Sequence, residues 1–558
     1  MRSGRAVRRL LICCMLLAFA SVPAEAVETA GTAAPSGTAA PAGTPAPADT
    51  TTPTSTTAPT DTTAPTGTSA PTDTTTPAGT PAPTNTTTPA GTTAPTGTPA
   101  PAVPVAPNSS IAFTMNAGTV YTDSSTTARG DAFIDSRAYS YPDGSRLSMQ
   151  RIRTKDAGAP AQELGKMTVS GSEGLLRWYD KQEAVWHVVP LKAGTYPAGT
   201  YHISTDKGSA IIVPSQTYLD HSNGMIEHLP ARNGTLVISE VQDGFLFTLR
   251  TPALPANVHA EWFLLRSANQ LVDWNRAESA QKWSIYSFTG DNRWCMTGYY
   301  YLAPESYYPA GANYYHNLPA AYIAGRMMRD EGQPASAFLG LAMLDVMGGL
   351  CNEEGYWPSL SGSVWLRDDY GIEPGYFDTR FNVDLATAQL NAVNRYGISE
   401  WKTGLIRFGD YLRGYCERHH FSFDLEGRPG WLVQDYAHKN GGSPTHSSLN
   451  HHAAIAVFLY RLTTLTGEKR FADTAEILTC GIEHSASQWL KPDGDLYYAY
   501  MPDGSFDRAD YPYLTYNDLL ELQSCVSAAR GAASGALDTL LTSKRQWMDA
   551  RGIVEYNQ

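Results

Sequence analysis

No large apolar side chain occurs between Val27 and Val103. Thr, Ala, Pro, Gly, Ser and Asp fill that stretch, in near-repeats of six residues such as APTDTT and APTNTT. Such a segment cannot offset the entropy lost on folding. Residues 27–107 therefore read as an extended tether with polyproline-II character. Cysteine is also scarce. Beyond residue 26 the chain has Cys295, Cys351, Cys416, Cys480 and Cys525, odd in number and far apart. That excludes a disulfide framework and zinc spacing. The only N-terminal apolar run, Leu10–Ala20, is too short to cross a bilayer. It follows Arg2, Arg5, Arg8 and Arg9 and precedes the A-x-A pattern Ala24-Glu25-Ala26, so residues 1–26 read as a secretory signal. A secreted, periplasmic or cell-surface location is the expectation. Basic charge is deficient too, with 41 Lys and Arg against 54 Asp and Glu. Loss of the signal, with four arginines and one glutamate, takes the net charge from −13 to −16. That argues against nucleic acid as a partner and requires a local basic patch for any polyanion.

Period-two patterning with Gly and Pro punctuation runs from about Asn108 to Thr251. Examples are Met167/Val169, Leu236–Ile238 and Phe245–Leu249. This predicts a β-sandwich-like domain over 108–270. Trp178, Tyr179 and Trp186 there suit a core, with a sugar platform as the alternative. The period then becomes helical, as in Leu318/Tyr322/Gly325 and Phe338/Leu341/Leu344. Helices are expected over Trp401–Tyr415, Ser448–Thr463, Phe471–His484 and Tyr516–Ala529, with Gly467 closing one of them. The whole reads as a mixed β and α chain, with an α/α toroid (an incomplete α/α barrel) over 271–558. The pocket of such a toroid would be built by the long loops 351–377, 417–447 and 490–515.

Those loops hold the unusual residues. GWLVQDY from Gly430, SLNHH from Ser448, GDLYYAY from Gly494 and DYPYLTYNDLLELQ from Asp510 crowd tyrosine against Asp, Asn and His. Trp357 and Trp365 offer rings for stacking on sugars. Glu373 lies in the EPGY run and Arg380 just after it, where a guanidinium can grip a carboxylate in bidentate fashion. Pairing of Arg380 with Asp378 or Asp384 is the structural alternative. Asn450 is either a helix cap or a ligand. The adjacent pairs His419-His420 and His451-His452 lack the i, i+4 spacing of a helical metal site, so no metal is expected. Asp493-Gly494-Asp495 reads as a turn rather than a calcium loop.

Four motifs in one order resemble the C-terminal domain of the D-glucuronyl C5-epimerase family over roughly 340–530. They are Glu373-Pro374-Gly375-Tyr376 after Gly355-Tyr356-Trp357-Pro358; Asp435-Tyr436 before Ser448-Leu449-Asn450; Gly494-Asp495-Leu496-Tyr497; and Asp510-Tyr511 before Asn517-Asp518-Leu519. The resemblance implies Tyr436, Tyr497 and Tyr511 as catalytic tyrosines. With it, Trp357, Glu373, Arg380, Asp435, Asn450 and Asn517 are expected around the substrate, a uronate-containing polysaccharide is the expected partner, and the chemistry requires no cofactor. The resemblance allows a homodimer and fixes no oligomeric state. The family's arginine three residues after the second tyrosine is Tyr500 here, so carboxylate recognition has to shift, with Arg380 the expected substitute. The chemistry is self-consistent. C5 epimerisation needs two acid/base groups flanking the ring and donors on the carboxylate. A polysaccharide lyase shares the first proton abstraction. A glycoside hydrolase would draw on Glu373, Asp435 and Asp510. A non-catalytic glycan-binding protein is the alternative of another class.

Overall fold

The run Ala210-Ile211-Ile212-Val213 shows how the β region is layered. Both faces of its strand, Gly208–His221, are buried, and alternate side chains enter different cores. Ala210 and Ile212 join Val169, Leu236, Ile238, Phe245, Phe247 and Leu249 between two sheets. Ile211 and Val213 join Phe263, Leu265 and the helices. In this computed structural model, residues 109–554 are described, except 222, 287, 303–305 and 331. The expected signal (1–26) and the whole tether (27–107) therefore lie outside the described residues.

A 13-stranded antiparallel sheet and a four-stranded sheet face one another across that first core. The sandwich expectation thus holds for the strands. The large sheet also takes in Asn292–Cys295, Gly298–Leu302 and Tyr314–Asn317, beyond the boundary expected at 270. Trp178 packs on the sandwich core and on His187, and the Trp186 indole donates to the Ala280 carbonyl. The second face of the large sheet is covered by helices. Tyr141 stacks on Phe338 at 4.2 Å and donates to its carbonyl at 2.7 Å.

Ten helices follow in order among the described residues: α1 (Ser279–Ile285), α2 (Tyr322–Arg329), α3 (Pro334–Gly348), α4 (Val364–Tyr370), α5 (Thr379–Tyr396), α6 (Lys402–Arg418), α7 (Leu449–Thr466), α8 (Lys469–Trp489), α9 (Leu514–Arg530) and α10 (Gly535–Asp549). Helices α2, α5, α7 and α9 lie side by side, and α6, α8 and α10 back them in a second row. The arrangement is toroid-like. Helix α7 is apolar nearly all round (LNHHAAIAVFLYRL) because it has neighbours on every side. Gly467 ends it in the left-handed conformation, φ 75°, with its N–H on the Thr463 carbonyl.

Gly481 lets α8 lie directly on the strand Trp431–Val433 that leads to Asp435. A Cβ at this position would sit well inside van der Waals contact of the Trp431 backbone, which cannot swing aside. Gly481→Ala gains helix propensity but overpacks this contact. A net loss of about 1–3 kcal/mol is expected, read as a lower urea midpoint. An unchanged or higher midpoint would show that the strand is not held here.

Candidate functional site

The inner helices α5, α7 and α9 bring their N-termini to one end of the arc, and the loops before them interlock through short strands. Phe377–Asp378 pairs with Tyr436–Ala437, and Ser447–Ser448 pairs with Tyr497–Tyr500. Helix N-termini present unpaired N–H groups and partial positive charge. Buried acidic residues gather there.

Asp435 is fully buried. Its carboxylate accepts from the Ser448 N–H at 2.8 Å and the Ser448 hydroxyl at 2.5 Å. His446 Nε2 lies 3.3 Å away and His451 Nδ1 3.5 Å away. Burial alone would raise this carboxyl. The imidazoles of His451 and His446 and the donors on Ser448 outweigh it and leave the group below its ordinary value. The charge of Asp435 favours the proton of His446 on Nε2, which turns Nδ1 into an acceptor. Tyr370 supplies the donor, its hydroxyl 2.9 Å from Nδ1. A phenol, an imidazole and a carboxylate therefore lie in sequence, the first contact a hydrogen bond and the second an ion-pair contact at 3.3 Å in which Nε2 is not aligned for a hydrogen bond. Burial pushes the Tyr370 phenol up to about 12, and the charge of Arg508 works against that rise. His451 is pushed down to about 4 by burial, against the pull of Asp435, and shares a 2.9 Å hydrogen bond with Thr379.

Aromatic rings surround the chain. Tyr436 lies 5.9 Å from His446, 5.6 Å from Trp365 and 6.0 Å from Tyr376 between ring centroids. Tyr498 lies 5.9 Å from His446 and 5.7 Å from Tyr511. Trp365 and Tyr511 are half-buried, and such rings suit the apolar face of a sugar.

Of the expected residues, Asp435, Tyr436 and Tyr511 do meet here. Tyr497 does not join them, and its neighbour Tyr498 does. Successive side chains alternate across a strand, so Tyr498 reaches His446 while Tyr497 packs against the large core. Trp357 is not a sugar platform. It is buried against Phe408, with its indole donating to the Met347 carbonyl at 2.8 Å. Trp365, the other tryptophan of that loop, takes the half-buried place. For Arg380 the structure shows the pairing alternative. Its guanidinium is bound to Asp384 at 3.0 Å, to Asp518 at 2.5 Å and to the Asn450 carbonyl at 3.3 Å. Asn450 is not the cap. Ser448 holds that position, and the Asn450 side-chain oxygen is buried without a hydrogen-bond partner. Glu373 is exposed and Asn517 half-buried in the first turn of α9. Asp510 is committed to Thr515 at 2.5 Å and to buried Lys544 at 2.7 Å. Lys544 also binds Asp495 at 2.6 Å and the Tyr511 carbonyl at 2.7 Å, which fixes the loop that carries Tyr511.

Sequence reasoning missed Tyr370, His446 and Tyr498. For His446 there was one usable signal, a histidine two residues before the Ser448 that opens α7. The residues that could hold a metal lie on the β side. His259, Glu261 and Cys295 are buried with their ligand atoms within 4.8 Å of one another. Arg151 already places positive charge there, 3.1 Å from His259 Nδ1 and 3.5 Å from Glu261, which disfavours a cation. A cavity of about 1140 Å³ also lies on the β side, lined by Arg177, Lys192, Asp206 and Trp274 among others. Its size does not make it the site, because the phenol–imidazole–carboxylate chain is elsewhere.

No family model matches the chain, and no curated protein sequence matches it. Among solved structures it is similar to a D-mannose isomerase, with a TM-score of 0.33 and 12% identity over 45% of this chain and 64% of the isomerase. A family 76 glycoside hydrolase from a bovine Bacteroides thetaiotaomicron strain gives a TM-score of 0.34 and 9% identity over 77% and 78% of the two chains. The cellobiose 2-epimerase from Spirochaeta thermophila gives 0.28 and 14% over 39% and 50%. The chain thus spans under two thirds of the isomerase and half of the epimerase. At TM-scores this low the likenesses carry no argument, and the chemistry below rests on the site itself.

Two outcomes test this description. Lysine keeps the charge of Arg380 but cannot reach Asp384, Asp518 and the Asn450 carbonyl together. Arg380→Lys should cost about 2 kcal/mol by urea denaturation; unchanged stability would mean that the three contacts are not held together in solution. The second outcome concerns Asp378, which caps α5 by accepting from the Phe381 N–H at 2.9 Å. Burial pushes its carboxyl up to about 8. The folded protein therefore binds a proton that the unfolded chain releases near pH 4, so this group's contribution to stability falls as pH rises from about 4 to 8. Asn mimics the protonated form and keeps the cap. The stability of Asp378→Asn relative to wild type should climb across that window and level off above it. A pH-independent difference would place the Asp378 carboxyl near its ordinary value.

Proposed function

We propose that this protein is an exported hexuronate C5-epimerase acting on a glucuronate-containing polysaccharide. The observation that carries the reading is the buried Tyr370–His446–Asp435 chain set among Tyr436, Tyr498 and Tyr511. The N-terminal charge, apolar run and A-x-A pattern support export.

The hydrogen at C5 is weakly acidic because the neighbouring carboxylate can take up the electron pair as an enolate. The Tyr370 oxygen accepts that proton while its own passes to His446 Nδ1. Asp435 stabilises the imidazolium that results. A phenol on the other side of the ring, Tyr498 or Tyr511, then protonates C5 from the opposite face, and Tyr436 orients the ring between them. Solvent resets both groups. The reaction needs no electron acceptor.

A second reading has one observation behind it. Asp378 is pushed up to about 8 by burial while Asp435 is held below its ordinary value. Two carboxyls driven apart in this way suit the acid and base of a glycoside hydrolase. Both, however, are tied to backbone donors at helix starts, which favours a structural role for Asp378.

The test is incubation with a panel of uronate polymers in deuterated water, read by NMR. Wild type should introduce deuterium at C5 and invert it. Tyr370→Phe and His446→Gln should each slow exchange by about 10²–10⁴-fold, with folding retained by circular dichroism. New reducing ends without exchange would establish the hydrolase reading, and an unsaturated, ultraviolet-absorbing product would establish a lyase. Exchange unaffected by both substitutions would remove the proton chain from the mechanism.

A further inference from the structure

Because Arg380 is consumed by Asp384, Asp518 and a backbone carbonyl, the site needs another cation if it is to hold a uronate. We infer that Arg508 is the residue that binds the substrate carboxylate. This rests on the function proposed above and names the residue that confers its selectivity for acidic sugars.

Three placements of Arg508 point the same way. It lies on the strand Phe506–Ala509, between the pairs Tyr497↔Ala509 and Ala499↔Asp507. It is therefore directly across from Tyr498, the ring that touches both His446 and Tyr511. Cross-strand neighbours of this kind have side chains within reach of one another. The phenol of Tyr370 also feels the positive charge of Arg508. Arg508 thus shares the register position of Tyr498 and places its positive charge within electrostatic range of the Tyr370 phenol.

The second point is satisfaction. Nη1 of Arg508 is buried and has no hydrogen-bond partner, although the residue as a whole is half-exposed. The far end of the side chain is turned inward. A buried guanidinium N–H left unpaired is costly. The buried carboxylates of the site are engaged elsewhere, Asp435 by Ser448 and the imidazoles and Asp510 by an ion pair with Lys544 and a hydrogen bond from Thr515. A planar anion entering from outside can do so, with both oxygens matched to the fork.

The third point is strain. Arg508 has φ 73°, in the left-handed region that a long side chain rarely occupies. A non-glycine residue held there marks a position over-determined by its surroundings, and such positions concentrate at ligand sites.

The experiment uses the full chain and two probes: an oligosaccharide containing D-glucuronate, and the same oligosaccharide with its carboxylates reduced to alcohols. Binding is measured by calorimetry. Wild type should prefer the acidic probe, and Arg508→Gln should erase that preference by weakening acidic binding about 10–100-fold, the loss expected of one charge-assisted pair. Arg508→Lys should recover part of it. Arg508→Gly relieves the positive φ, so its melting temperature should match or exceed wild type while acidic binding is still lost. A marked fall in that temperature would make Arg508 structural and overturn the inference. So would a wild type without preference for the acidic probe, or an Arg508→Gln variant that keeps the preference. The two readings separate cleanly. If wild type exchanges C5 hydrogen and Arg508→Gln does so with unchanged KM, the arginine assignment fails and the epimerase stands. If acidic binding depends on Arg508 but no polymer exchanges its C5 hydrogen, the arginine assignment stands and the epimerase fails.

Discussion

The negative charge of Asp435 has no access to water, so every element around it has to answer that charge. Isolated, an ionised carboxylate at this depth would be prohibitive. Ser448 answers with its backbone N–H and its hydroxyl, which is why that hydroxyl does not cap α7 in the ordinary way. His446 and His451 come from either side of Ser448, and the Asp435 backbone closes the contact by accepting from Thr379 at the start of α5. One buried charge thus ties two helix N-termini and the loop 417–447 into a single frame.

A second buried charge does the same for the third loop. Lys544, from the last helix, is enclosed by Asp495, Asp510 and the Tyr511 carbonyl. Neither ion cluster argues for stability in itself, because desolvation cancels much of the attraction. What they provide is placement. With Asp435 and Lys544 fixed, the rings of Tyr436 and Tyr498 are held at defined distances from His446, and Tyr511 against Tyr498, as preorganised acid/base chemistry requires. The cost is visible as strain at Arg508 and as an unpaired oxygen on Asn450.

The layered fold explains why this frame is rigid. The large sheet is buried on both faces, by a smaller sheet and by helices, and one continuous apolar core runs from Phe113 to Met548. Loops that rise from so dense a base move little at their anchored ends. Beside the buried chain, Trp365, Tyr511 and Arg508 are half-buried and reach solvent in part.

Much of this was legible in the chain. Period-two and helical patterning located the sandwich strands and the helices over 379–530, because burial on one face leaves its period in the sequence. Clustered Tyr, Asp and His at loop ends pointed to three loops that the structure brings together, with Asp435, Tyr436 and Tyr511 among the residues that meet. The places where structure and sequence part share a physical origin. A strand carries consecutive tyrosines to opposite faces, and only its pairing partners decide whether Tyr497 or Tyr498 turns inward. Trp357 and Trp365 read alike as loop aromatics until packing buries one of them. Arg380 and Arg508 are equally cationic on paper, but the first meets Asp518 from a helix 138 residues away while the second is left with an unpaired donor. Sequence alone determined which residue types the site would have. Tertiary structure decided which copy of each type is spent on the frame and which is left to act, because that depends on partners distant in the chain and adjacent only after folding.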